Sequence, residues 1–245
     1  MNVHKVIIRF DFPVSYDILD KPGQVMRLIE QVGTKWSALG ENQSARQITA
    51  SMKLDNEYYS YTVQPTNLVI DFESVDGVPL MQVRQNNIVK KLIKLTSSLF
   101  KNFEVEEIER AGVRVFCGAG DGTFEVSKKN IENKVSQDML QSINSAFGKI
   151  EDVGLAFDGQ KEDLVSYRLR FGPYKTSEAK KYFTHVGSKM IESSSFNHIF
   201  DVDVYEQRFS VLASPVHNWV DDALIYASES IQSLFKVLVK KKEEG

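Results

Sequence analysis

The sequence predicts an α+β protein made of two related modules, each an antiparallel sheet packed by a long helix. Short period-two runs separated by turn residues fill 45–84, and apolar stripes of helical period mark 87–103 and the segment after Pro215. The first half is also echoed in the second. The expected modules are residues 1–125 and a shorter 126–245, with one continuous domain as the alternative.

The opening run is a strand, with Val6, Ile8, Phe10 and Phe12 on one face and Ile7, Arg9 and Asp11 on the other. Pro22 then starts a helix behind an Asp20 cap, its stripe carried by Val25, Leu28, Ile29, Val32, Trp36 and Leu39. Turn chemistry at Asp55-Asn56, Pro65-Thr66-Asn67 and Asp76-Gly77 divides the next segment into a meander. A second helix buries Ile88, Leu92, Leu95, Leu99 and Phe103, and a strand follows that ends at Cys117. After the glycine-rich run 118–122, Val135, Met139, Leu140, Ile143 and Phe147 mark a third helix. Strands near 151–157 and 164–171 flank an Asp158-Gly159 turn, helix is expected near 177–186, and Ile199–Glu206 alternates as a strand. Pro215 opens the last helix, striped by Val216, Val220, Ala223, Ala227, Ile231, Leu234 and Leu238 and closed by Lys240, Lys241 and Lys242, cations that suit a helix C-terminus.

Composition narrows the function classes. The 245 residues are 42% hydrophobic and 26% charged, which suits a packed globular chain. A formal net charge of −3 argues against the broad cationic surface that nucleic acid requires, so nucleic acid is not an expected partner. Cys117 is the one cysteine, so no disulfide forms within the chain and no cysteine zinc site is possible. No apolar run approaches the ~20 residues of a membrane span, and the N-terminus reads as a strand and not a signal peptide, so a cytoplasmic protein with no membrane partner is expected.

The internal echo pairs Asp71-Phe72-Glu73 and its following Leu99-Phe100-Lys101 with Asp201-Val202-Asp203 and Leu234-Phe235-Lys236. Upstream, Ile8-Arg9-Phe10-Asp11-Phe12-Pro13 is similar to Arg168-Leu169-Arg170-Phe171-Gly172-Pro173. The run Arg110-Ala111-Gly112-Val113-Arg114-Val115, with Phe200-Asp201-Val202-Asp203-Val204-Tyr205 and the helix from Pro215, resembles the TIGR04255 family of sporadically distributed prokaryotic proteins. Val113 and Val115 depart from that family's usual Leu and aromatic residue. The resemblance spans most of the chain and implies no catalytic residues.

Alternation gathers Arg110 with Arg114, and Arg168 with Arg170, on single strand faces. It does the same for the acids Asp71 with Glu73 and Asp201 with Asp203. One reading is a solvated face laced with cross-strand ion pairs. The other is a polar cleft in which the four arginines offer forks to a small anion. The run from Cys117 to Gly122 lacks both the third glycine of a dinucleotide fingerprint and a P-loop lysine, so it reads as a turn, with Cys117 facing inward. His4, His185, His198 and His217 have no metal-ligand spacing, no nucleophile elbow occurs, and Tyr58, Tyr59 and Tyr61 suit packing more than base stacking. Neither cofactor nor metal is expected. The sequence therefore points to a binding or interaction protein without catalytic residues, self-associating or binding another protein through the last helix at Leu234 and Leu238. The alternative is an enzyme or binder of a small anion.

Overall fold

A computed structural model describes residues 2–120, 123–161, 165–193, 196–212 and 214–238. Asp121 and Gly122 of the glycine-rich run, and Lys240–Lys242, lie outside the described residues, as does the side chain of Leu238.

The first strand is β1 (Asn2–Asp11), followed by helices α1 (Tyr16–Asp20) and α2 (Pro22–Gln31). Strands β2 (Ala38–Asn42), β3 (Gln47–Leu54), β4 (Glu57–Gln64) and β5 (Asn67–Val78) form the meander, and α3 (Leu80–Gln85) and α4 (Asn87–Asn102) close the first half. The second half begins with β6 (Glu107–Ala119), then α5 (Phe124–Glu132), α6 (Gln137–Phe147), β7 (Leu155–Lys161) and β8 (Val165–Pro173). A single 3-10 turn (Thr176–Glu178), α7 (Ala179–Tyr182), α8 (Gly187–Ser193), β9 (His198–Ser210) and α9 (Val216–Leu238) complete it.

The α+β class holds, but the two expected sheets are one. All nine strands join in the order β2-β3-β4-β5-β1-β6-β9-β8-β7, and every described pairing is antiparallel. The seam is the pairing of β1 with β6, which sets Ile8 opposite Val113 and Phe10 opposite Ala111. Outward from that pair the order is β5, β4, β3 on one side and β9, β8, β7 on the other, so the acidic strands β5 and β9 flank it symmetrically. The Arg168–Phe171 run lies on β8, one strand from the edge, and does not occupy the position of its sequence counterpart on the central β1.

One sheet face carries the main core. Phe10 is fully buried and meets Phe100 and Trp219 edge-on, with ring centroids 5.6 and 6.1 Å away. Helix α4 starts where the Asn86 side chain accepts from the N–H groups of Ile88 and Val89, satisfying two first-turn donors. It buries Val89, Leu92, Leu95 and Leu99, and α9 lies beside it over β6 and β9. The stripe of α9 is thus spent within the chain: Val216, Val220, Ala223, Ala227 and Ile231 are buried, and Leu234 packs half-buried against the core. No described helix is long and apolar enough to cross a membrane.

Several expected boundaries move. Helix α2 ends at Gln31, so Trp36 and Leu39 leave the stripe, and Leu39 lies in edge strand β2. Lys21 and not Asp20 precedes α2, without a side-chain cap. Asp76-Gly77 and Asp158-Gly159 lie inside β5 and β7 instead of turning the chain. Asp158-Gly159 keeps to the ladder with β8, opposite Arg168 and Tyr167, whereas Asp76-Gly77 falls in a bulge between the Lys5–Glu73 and Val3–Val78 pairs, with Gly77 at φ +67°. Helix α6 forms where expected but buries only Leu140, leaving Phe147 88% exposed.

Replacing Phe10 with Ala should lower stability by about 3–5 kcal/mol in chemical denaturation, because a closed ring cluster cannot collapse to fill the void. Phe147→Ser should change it by less than ~0.5 kcal/mol, since that ring meets water.

Candidate ligand-binding site

The opposite sheet face is polar, and its residues follow from the strand alternation. Lys5, Ile7 and Arg9 of β1, Asp71 and Glu73 of β5, Arg110 and Arg114 of β6, Asp201 and Asp203 of β9, and Arg168 and Arg170 of β8 all project there. Basic strands neighbour acidic ones. Arg114 binds Asp201 through two parallel contacts of 2.7 and 2.6 Å, and Arg110 reaches both oxygens of Asp203 at 2.9 and 2.8 Å. Arg168 pairs with Asp158 of β7 at 2.9 Å. Hydrogen bonding to its carboxylate partner raises the pKa of each of Arg114 and Arg168. Burial pushes Asp203 upward against the pull of Arg110 and Arg114.

Over part of this face sits a small cap made of the 3-10 turn, α7 and α8. It has its own apolar cluster, in which Phe183, Val186 and Met190 cover Val75, Phe116 and Ile199. Cap and sheet are joined by Glu73, which is wholly buried. One oxygen accepts from Lys5 Nζ at 2.6 Å and from the Thr184 N–H at 3.1 Å; the other accepts from the N–H groups of His185 and Val186 at 2.8 and 3.0 Å. Lys5 also lies 3.3 Å from Asp71, whose carboxyl burial pushes up to about 6 although Lys5 pulls it down. His185 stacks on Tyr58 with ring centroids 3.7 Å apart, and burial lowers its pKa.

Asp71, Glu73 and His185 bring potential metal-ligand atoms within 4.8 Å of one another, a cluster that sequence spacing did not disclose because its members come from a strand and a distant turn. Both oxygens of Glu73 are already taken by N–H donors, so a cation entering there must displace Lys5. Glu73 holds the cap.

Between the cap and β6, β9 and β8 lies a cavity of about 680 Å³. Arg114 and Arg170 line it, as do Lys5, Lys181, Asp152 and Tyr182. Gly154, Ala156 and Gly172 leave the room beside Arg170. Arg110 and Arg168 do not reach it, so the structure brings together two of the four expected arginines. Among the described residues Arg170 and Lys181 form no ion pair, although Arg170 stands opposite Asp201 in the ladder, because the fork of Arg114 already holds that carboxylate. Lys181 lies 5.5 Å from the Tyr182 ring centre. Sequence reasoning missed Lys5, Lys181 and Asp152, which lie outside the strand pairs that carried the charge pattern.

The described part of the glycine-rich run serves packing. A side chain at Gly118 meets the Phe196 ring, and Gly120, at φ +72°, abuts Asn197 and His198. Cys117 is buried and its thiol is pushed up to about 12 by burial, which leaves it without nucleophilic character. Tyr59 and Tyr61 are buried on the core face, closed to base stacking.

No protein-family model matches the chain, and no curated protein matches it. Among solved structures it is similar to a rolling circle replication initiator protein from Geobacillus stearothermophilus, with 11% identity, TM-score 0.33, and coverage of 99% of this chain and 88% of that one. A second similarity, to crystal form I of TP0453, has 6% identity, TM-score 0.15, and coverage of 92% and 94%. Identities and TM-scores this low assign neither fold nor function.

Glu73→Ala should destabilise the protein by about 3–5 kcal/mol, since it strands Lys5 without its closest counter-charge. Asp71 has a second consequence. Its folded pKa, near 6, lies above the ordinary ~3.9, so the folded state binds more protons between those values and this residue's contribution to stability falls as pH rises through that window. Asp71→Asn should therefore gain stability relative to the parent as pH goes from about 4 to about 7 in parallel urea melts.

Proposed function

We propose that this protein binds a small anionic ligand in the cavity between cap and sheet, with Arg170 and Lys181 supplying the attraction. The carrying observation is the shared cavity: two cations with no ion-pair partner among the described residues face the same space, while Arg110, Arg114 and Arg168 are held by Asp203, Asp201 and Asp158. A volume of about 680 Å³ falls among small-molecule sites, which span ~300–1,000 Å³. A guanidinium fork and an ammonium suit a carboxylate or phosphate.

The sequence put a protein-interaction role through α9 first and an anion site second; the anion site is preferred because the described stripe of α9 packs on the core, with Leu234 half-buried. We also read the two halves as copies of one unit joined along β1 and β6. The mirrored strand order, with an acidic strand on each side of the seam and a long helix after each, supports that reading.

Calorimetric titration at low ionic strength with inorganic phosphate and with glutarate tests the assignment. Binding by the parent protein should weaken at least tenfold in Arg170→Ala and stay unchanged in Arg168→Ala. Absence of binding by either anion, or equal loss in both variants, contradicts it.

A further inference from the structure

The cavity holds more than cations. Asp152, on the segment leading into β7, faces the same space as Arg170 and Lys181. One of its oxygens accepts from the neighbouring Val153 N–H at 2.8 Å, and the other has no bond to a described residue. The remaining charged groups of the lining are satisfied within the protein: Lys5 by Glu73 and Asp71, and Arg114 and Asp201 by each other. What is left for a ligand is two positive groups and one negative group around one volume.

We infer that the ligand carries an ammonium beside its anionic groups, as acidic amino acids and short acidic peptides do. This rests on the anion-binding reading above and sharpens it. Arg170 and Lys181 take the ligand's carboxylates, and the open oxygen of Asp152 accepts from its ammonium. An isolated carboxylate on a cavity wall repels a simple dianion, so a site meant for one gains nothing from Asp152. The same carboxylate becomes an attractive contact when the ligand brings a charged donor, and charge-assisted hydrogen bonds are the strong ones. Removing or adding one such group also makes for sharp discrimination, because the unmatched partner is left without its contact. The volume exceeds what glutamate fills, which leaves room for a further residue of a peptide, with Tyr182 on the wall as an apolar surface for it.

L-glutamate and glutarate differ by one ammonium group, and glutarate carries the larger negative charge. If only Arg170 and Lys181 mattered, glutarate would bind more tightly. Calorimetric titration of the full chain should instead show L-glutamate binding at least tenfold more tightly than glutarate. Asp152→Asn should remove that preference by weakening L-glutamate while leaving glutarate as tight or tighter. Circular dichroism on the same samples establishes that the variant is folded, and Asp152 is exposed enough to be replaced without loss of core. Glutarate binding that depends on Arg170 and equals or exceeds that of L-glutamate overturns the zwitterion inference and leaves the anion site standing. A tenfold preference that survives Asp152→Asn overturns the role of Asp152. Failure of both ligands to bind overturns the inference together with the reading beneath it.

Discussion

A buried carboxylate, Glu73, is the contact on which the polar side of this protein depends. It sits at the sheet centre with no exposed surface, and four N–H donors converge on it: Lys5 from the next strand and three successive backbone amides from the turn between α7 and α8. A charge in that position is tolerable only because each oxygen has two partners. The three amides are equally dependent, since a turn that starts a short helix exposes donors its own residues cannot satisfy. Burying both together closes the account, and the cap is thereby pinned over β5 and β1. Everything the cap contributes to the cavity, Lys181 and Tyr182 above all, is positioned by that joint.

The rest of the charged face follows from strand geometry. Alternation obliges β6 and β8 to show arginines on the side opposite Val113, Val115, Leu169 and Phe171, and β9 lies between them carrying Asp201 and Asp203. Three arginines find carboxylates within 2.9 Å, and each such pair on a partly solvated sheet contributes ~0.2–1 kcal/mol. Arg170 is the remainder. Two arginines flank Asp201, and the one on β6 engages it through both oxygens. Competition for a single carboxylate therefore generates the one strand arginine that faces the cavity without a counter-ion in the described structure.

Much of the architecture was legible because periodicity reports burial. Val6, Ile8, Phe10 and Phe12 announced the core face of β1, and Leu92, Leu95 and Leu99 that of α4. The acid and arginine faces were legible for the same reason. What periodicity cannot supply is which strands meet across the chain. The joining of β1 to β6 into one sheet rests on contacts such as Ile8 with Val113, far apart in the chain, and the sequence echo suggested two sheets instead. Glycine after aspartate misled at Asp158, where pairing with β8 outweighed turn preference, and at Asp76, where the chain bulges at Gly77 (φ +67°) without leaving β5. The amphipathic stripe of α9 looked like a surface for a partner because amphipathy states that one face is buried and not against what. In the site, Arg114 and Arg170 were visible as strand arginines, while Lys181 comes from the four-residue helix α7 and Asp152 from the loop before β7, both too short to carry a periodic signature.

The central claim is that Glu73 fastens the cap that forms the ligand cavity, and amide hydrogen exchange at Thr184, His185 and Val186 tests it most directly. In the parent protein these three amides should exchange slowly. In Glu73→Gln, which keeps the size but removes the charge, all three should exchange at least tenfold faster while amides of α4 stay protected, and phosphate binding should weaken in parallel. Unchanged exchange at 184–186 with undiminished binding would contradict the account, because the cap would then be held by its apolar contacts alone.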